Sequence, residues 1–213
     1  MTAPRPDRWT RAAVALAGAR RRLVAPVWGA TIAAVARPLV VDGLDRLPAG
    51  PVVFAASHAS HADTVVLLSV LRGRSVLPAA AADYFFDGPV RGAAAVAAIG
   101  AFPFPREGRD GLDRAHAVLA AGHDVLLFPQ GTRDGGPVRL GVGLLAREGA
   151  TVVPVRLTGT GAVLPKGARR PRPHPVHVVV GAPIAPGTPV ARATARVAEH
   201  LLLPTADAAP EAA

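Results

Sequence analysis

The chain has 213 residues, 50% hydrophobic and 4% aromatic, with no cysteine and with 22 glycines and 22 prolines. That is the size of one ordinary domain with a core of Val, Leu and Ala. It excludes wholesale disorder, a disulfide scaffold, a cysteine-ligated metal and a thiol nucleophile. The net charge of +9 rests almost wholly on arginine, with Lys166 the one lysine among 24 basic residues, and points to anionic partners.

Residues 1–39 hold much of that charge, in Arg5, Arg8, Arg11, Arg20, Arg21, Arg22 and Arg37 against Asp7. They read as two short basic, apolar helices, 8–24 and 27–36, broken apart by Pro26 and Gly29. This pattern suits a membrane-surface anchor, or alternatively a helical hairpin packed on the core. The uncharged stretches Leu23–Ala36 and Gly92–Pro105 are each 14 residues long and are interrupted by Gly and Pro. Both fall short of the roughly 18–20 residues a spanning helix needs, and the N-terminus lacks the order of a signal peptide.

The main domain is expected over 40–203. Apolar runs predict strands at 51–56, 75–80, 102–104, 123–128, 151–157 and 176–180. Helical patterns fall at 62–71, 90–99, 111–121, 143–148 and 190–203, and 204–213 reads as a disordered tail. Continuous Val-rich strands alternating with helices predict a single α/β domain with a mainly parallel central sheet flanked by helices. Ligands then belong at the carboxyl ends of the strands, in the loops after Ala56, Phe104, Phe128 and Leu157. Neither interleaved aromatics nor a recognition helix accompanies the basic residues, so nucleic acid is not an expected partner.

Two of those loops carry candidate chemistry. In Ser57-His58-Ala59-Ser60-His61-Ala62-Asp63, a histidine lies at a helix N-terminus, where the dipole disfavours its charged form and keeps it available as a base. Asp63, five residues on, can reach back to one ring nitrogen, set the tautomer and stabilise the imidazolium. Taken alone, this spacing is common by chance and is more often a turn in which Ser57 or Ser60 caps the helix. His58, His61 and Asp63 can also be read as metal ligands, although no zincin-type pattern accompanies them. In Phe128-Pro129-Gln130-Gly131-Thr132-Arg133, Gly131 permits close approach to a ligand and Arg133 offers an anion clamp. By itself that segment is also a surface turn with a solvated arginine. Arg106 ends a third short extended piece, and Val153-Pro154-Val155 is a strand. A second basic cluster, Lys166, Arg169, Arg170 and Arg172, sits in a Pro-rich loop.

The order of these pieces is more specific than any one of them. HASHAD at 58–63, GAFPFPR at 100–106, FPQGTR at 128–133 and VPV at 153–155 resemble the motif series of the glycerolipid acyltransferases, the lysophosphatidic acid acyltransferases and their relatives. The resemblance covers residues 40–185. It implies His58 as the general base oriented by Asp63, with Arg106, Gln130, Gly131, Thr132 and Arg133 binding the substrate phosphate. It implies transfer of a fatty acyl group from acyl-CoA or acyl carrier protein to a lysophospholipid hydroxyl, most simply that of 1-acylglycerol-3-phosphate. Neither a metal nor a cofactor is implied, and the place of action is the cytoplasmic face of a membrane. Gln130 stands where the family usually has glutamate, Ser57 where asparagine is frequent, and 139–141 lacks a lysine that some members carry. The competing expectations are another lysolipid or a glycolipid as acceptor, a metal-dependent hydrolase, and a non-catalytic lipid-binding domain.

Overall fold

The computed structural model describes residues 6–133 and 135–202; Arg5, Leu203 and the expected tail at 204–213 lie outside the described residues. Strand β2 (Val53–Ala56) shows the organising pattern. Its side chains alternate between two packed layers, Val53 and Ala55 on one face and Phe54 and Ala56 on the other, and all four are fully buried. A strand buried on both faces must be covered by helices on both, so the apolar run at 51–56 dictates a three-layer fold.

Among the described residues, seven strands fill the middle layer: β1 (Ala36–Asp42), β2, β3 (Val76–Ala81), β4 (Phe102–Phe104), β5 (Asp124–Leu127), β6 (Val152–Thr158) and β7 (His174–Val180). Their order across the sheet is β1-β7-β6-β2-β5-β3-β4. The block from β6 to β4 is parallel, while β7 is antiparallel to β6 and carries β1 parallel to itself. The expected mainly parallel α/β sheet is therefore present, with one reversal near its edge.

One face is covered by α1 (Arg8–Leu23), α6 (Asp110–Ala120), α7 (Gly141–Arg147) and α9 (Val190–Leu202). The other face is covered by α2 (Ala25–Val35), α3 (Ala62–Val70) and the single turn α8 (Thr160–Val163). A short turn, α4 (Ala82–Phe85), and α5 (Pro89–Ile99) bridge β3 to β4.

The N-terminal region differs from expectation in two ways. Pro26 lies in the first turn of α2, where its missing N–H costs nothing, so α1 and α2 are separated by Val24 alone. The sheet begins at Ala36 rather than near Val40, because 36–42 pairs with β7 in register Leu39↔Val176 through Asp42↔Val179.

The first helix is seated on the domain. Asp7 caps it by accepting from the Trp9 and Thr10 amides and also pairs with Arg114 of α6 at 2.8 Å. Trp9 lies so close to Gly92 of α5 that a Cβ there would sit 2.7 Å from the ring. Arg20 is buried and donates to the Val76 carbonyl at 2.9 Å. In α2, Trp28 donates its indole N–H to the Ala98 carbonyl at 2.8 Å. Among the described residues no helix is long and apolar enough to cross a membrane.

Candidate active site

The parallel block brings the ends of β2, β3, β4 and β5 to one rim, and the sequence motifs follow those ends. Beneath the rim lies a cavity of about 690 Å³. His58, Arg106, Gly131, Thr132 and Arg133 all line it, so three separate motifs meet in one place.

The turn after β2 is held from both sides. The Ser57 amide donates to the Val155 carbonyl at 3.0 Å, and the Ser57 hydroxyl accepts from the Leu157 amide at 2.8 Å. Strand β6, which carries the VPV motif, thus anchors the start of the turn that bears His58. Ser60 accepts from the Ala62 amide at 3.1 Å and donates to the Leu164 carbonyl at 2.8 Å. The His–Asp pair is present, but neither serine caps the helix: the N-cap position is His61, whose side chain makes no capping bond.

Asp63, in the first turn of α3, is completely buried. Its Oδ2 accepts from the Ala59 amide at 2.7 Å and the Ser60 amide at 2.8 Å, and lies 2.8 Å from His58 Nδ1. An oxygen that already accepts two amide protons carries no proton of its own, so the His58 nitrogen facing it must be the N–H donor. The proton on Nδ1 leaves Nε2 with its lone pair. His58 is 16% exposed, enough for a substrate to reach it. Phe128 stacks on its ring at 4.0 Å between centroids and 18° between planes, so the second motif also fixes the plane of the first motif's histidine.

Cations gather around the same cavity. Arg106 donates from Nη1 to the Gly131 carbonyl at 3.0 Å and pairs with Asp83 at 3.2 Å. Arg133 lines the cavity with Arg139 and Lys166. Arg139 packs its guanidinium over Gly131, where a Cβ would meet Nε at 3.0 Å; with φ at +70°, that position favours glycine. His61 also lines the cavity, and burial first, then Arg133 and His58, hold it below the ordinary histidine range against the opposing pull of Asp63. Much of the rest of the wall is apolar, with Ala79, Ile99, Phe104, Leu112, Leu127 and Val142 among it, and Thr64, Asp83 and Tyr84 add polar groups.

Gln130 departs from the expected arrangement, for it is absent from the cavity wall. Its Oε1 accepts from the His58 amide and its Nε2 donates to the Gly136 carbonyl, both at 3.3 Å. The metal reading of His58, His61 and Asp63 gains nothing, since no cluster of three possible ligands exists among the described residues. Arg139 was not a sequence candidate: at 139–141 the sequence shows only the absence of a lysine, and the residue's place over Gly131 depends on the fold. Lys166 was visible only as part of a charge run.

The fold and this rim define an α/β domain that places a histidine–aspartate pair and a set of arginines over a largely apolar cavity. The Acyltransferase family model matches residues 38–158, more than half of the chain, and the chain belongs to that family. It is 33% identical over 156 residues to the chloroplastic 1-acyl-sn-glycerol-3-phosphate acyltransferase BAT2 of Brassica napus. It is 34% identical over 156 residues to the chloroplastic LPAT1 of Arabidopsis thaliana, named for the same activity. Each match covers 68% of this chain, and the chain spans only 44% and 43% of the length of these relatives. The fold is also that of the 1-acyl-sn-glycerophosphate (LPA) acyltransferase PlsC from Thermotoga maritima. The TM-score is 0.62 at 21% identity, over 84% of this chain and 78% of that one.

Proposed function

We propose that the protein transfers a fatty acyl group from a thioester, acyl-CoA or acyl carrier protein, to the free hydroxyl of 1-acylglycerol-3-phosphate, giving phosphatidic acid. The observation that carries this reading is the His58–Asp63 pair, 2.8 Å apart, opening on a cavity that also holds Arg106 and Arg133. In this mechanism His58 Nε2 takes the hydroxyl proton as the oxygen attacks the thioester carbonyl. The C–O bond forms, the tetrahedral intermediate collapses, and the C–S bond breaks. The proton passes from the imidazolium to the departing thiolate, and Asp63 stabilises the imidazolium between the two steps. Arg133, with Arg139 and Arg106 around Gly131, binds the acceptor's phosphate, which suits the planar fork of arginine. The apolar wall takes acyl chain, and none of these steps calls for a metal or a cofactor.

The acceptor and product are both lipids, so the domain works at a membrane surface. Leu23 and Val27 at the α1–α2 junction and Val90 at the start of α5 are exposed by 74%, 61% and 80%. Arg21, Arg22 and Arg91 are exposed on the same elements. Apolar side chains fringed by arginine suit the interface of an anionic leaflet. The reading places the protein peripherally on the cytoplasmic face.

The test is acyl transfer by purified protein from labelled oleoyl-CoA, or from acyl carrier protein, to lysophosphatidic acid. Lysophosphatidylcholine and lysophosphatidylglycerol run in parallel, with His58→Ala as control. Phosphatidic acid formed only by the unmodified protein is the expected result. Transfer to another acceptor would move the specificity, and activity equal in His58→Ala would overturn the mechanism.

A further inference from the structure

Gln130 sits directly before the glycine that Arg106 and Arg139 enclose, yet it makes no part of the cavity wall. Its amide instead meets two backbone groups of opposite polarity. The His58 N–H can be met only by the amide oxygen, and the Gly136 carbonyl only by the amide nitrogen. The orientation of the side chain is therefore set by its partners. One end holds the main chain of the base. The other holds the turn that carries Arg133 on one side of Gly136 and Arg139 on the other. Arg139 is tied further to this turn, its amide donating to the Pro129 carbonyl at 3.0 Å.

We infer that Gln130 is a positioning residue that sets the separation between the His58 base and the arginines that grip the acceptor's anionic group. This inference rests on the acyl-transfer reading above. A carboxylate at the same place would still accept from the His58 amide. It would set a charged oxygen against the Gly136 carbonyl oxygen, turning an attraction into a repulsion. The two ends of the side chain are thus separable by substitution. Gln130→Glu keeps the end at the base and loses the end at the arginines. Gln130→Met, of nearly the same shape, loses both.

Loss of one hydrogen bond is worth about 1 kcal/mol, or roughly fivefold in an equilibrium constant. In steady-state transfer from oleoyl-CoA to lysophosphatidic acid, Gln130→Glu should raise the acceptor KM about fivefold and lower kcat by less, leaving the donor KM in place. Gln130→Met should lower kcat as well. Amide hydrogen exchange supplies a readout independent of turnover. Gln130→Glu should speed exchange in the turn containing Gly136 and leave the His58 amide protected, while Gln130→Met should speed both. An acceptor KM unchanged in Gln130→Glu, or kinetics for Gln130→Met equal to those of the unmodified protein, would overturn the inference. If the unmodified protein transfers to no acceptor, the acyl-transfer reading fails by itself. The exchange pattern then decides alone whether Gln130 couples the two segments, and uniform protection in both variants overturns the coupling.

Discussion

Asp63 lies under His58 with one carboxylate oxygen, Oδ2, shared among His58 Nδ1 at 2.8 Å and the amides of Ala59 and Ser60 at 2.7 and 2.8 Å. The same atom therefore shapes the turn and sets the tautomer of the base. A carboxylate buried this completely is costly unless it is held by donors; these three hold Oδ2, while Oδ1 is buried with no hydrogen-bond partner.

Asp63→Asn keeps the turn and the tautomer but removes the charge. The amide oxygen can still accept from the Ala59 and Ser60 amides and from His58 Nδ1, while its NH2 takes the buried, unpartnered place of Oδ1. A neutral amide no longer stabilises the imidazolium that forms when Nε2 takes the hydroxyl proton. A positioned general base contributes about 100- to 10,000-fold, and kcat for acyl transfer should fall within that range. Circular dichroism should show a folded protein. A variant with near-normal kcat would remove Asp63 from the mechanism.

Arg133 lines the cavity, while Arg106 is already engaged with Gly131 and Asp83. The two should respond differently to truncation. Arg133→Ala should raise the acceptor KM by roughly 10- to 100-fold, the value of a hydrogen bond to a charged group, with the donor KM little changed. Arg106→Ala should also loosen the Gly131 turn and so reduce kcat. Arg133→Lys keeps the charge without the planar fork and should recover only part of the affinity. Initial rates against varied lysophosphatidic acid distinguish these outcomes, and equal effects on donor and acceptor KM would argue against a phosphate clamp.

Much of the fold was legible because the apolar runs were unambiguous. Val53–Ala56 and Asp124–Leu127 are apolar at nearly every position and bounded by turns, and they became central strands buried on both faces. Strand β1 was not legible, since Ala36-Arg37-Pro38 continues an Ala-rich helix in composition and only pairing with β7 makes it a strand. The antiparallel sense of β7 was equally hidden, because direction depends on the path of the preceding loop and not on the strand's own residues. At the site, His58, Arg106, Gly131, Thr132 and Arg133 were found by motif order and do share one cavity. The direction of the Gln130 side chain was beyond reach. It depends on the Gly136 carbonyl, six residues away, and on the His58 amide, 72 positions away.

The seating of α1 predicts opposite outcomes for two helical glycines. A Cβ at Gly18, inside α1, meets nothing within 4 Å. Gly18→Ala should therefore stabilise by about 0.5–1 kcal/mol through helix propensity alone. A Cβ at Gly92, inside α5, would lie 2.7 and 2.8 Å from the Trp9 ring. The ring must move, and overpacking of this kind costs roughly 1–3 kcal/mol. At about 2–4 °C per kcal/mol for a chain of this length, thermal melting should show a rise of a few degrees for Gly18→Ala and a fall for Gly92→Ala. The Trp fluorescence should change only in the second. A Gly92→Ala protein as stable as Gly18→Ala would mean that the first helix is not seated against α5.

Acid sensitivity follows from three histidines, His61, His123 and His200, all held below the ordinary value chiefly by burial. Each is then neutral in the folded protein over a range where the unfolded chain, with histidine near about 6.5, has already bound a proton. Because the unfolded state binds more protons, stability rises with pH through this window and is lost as pH falls below about 6.5. Carboxylates act lower down. Glu148, its acidity raised mainly by the Arg109 hydrogen bond, gives up its contribution only as pH drops below the ordinary glutamate range near about 4.3. A decline between about pH 7 and 5 therefore belongs to the histidines. His200 donates from Nε2 to the Val179 carbonyl at 3.1 Å and packs on Gly181, so His200→Gln retains a donor without the titration. Urea melts across this range should show a shallower pH dependence for His200→Gln than for the unmodified protein. Parallel curves for the two would show that His200 charges at the same pH in the folded and unfolded states.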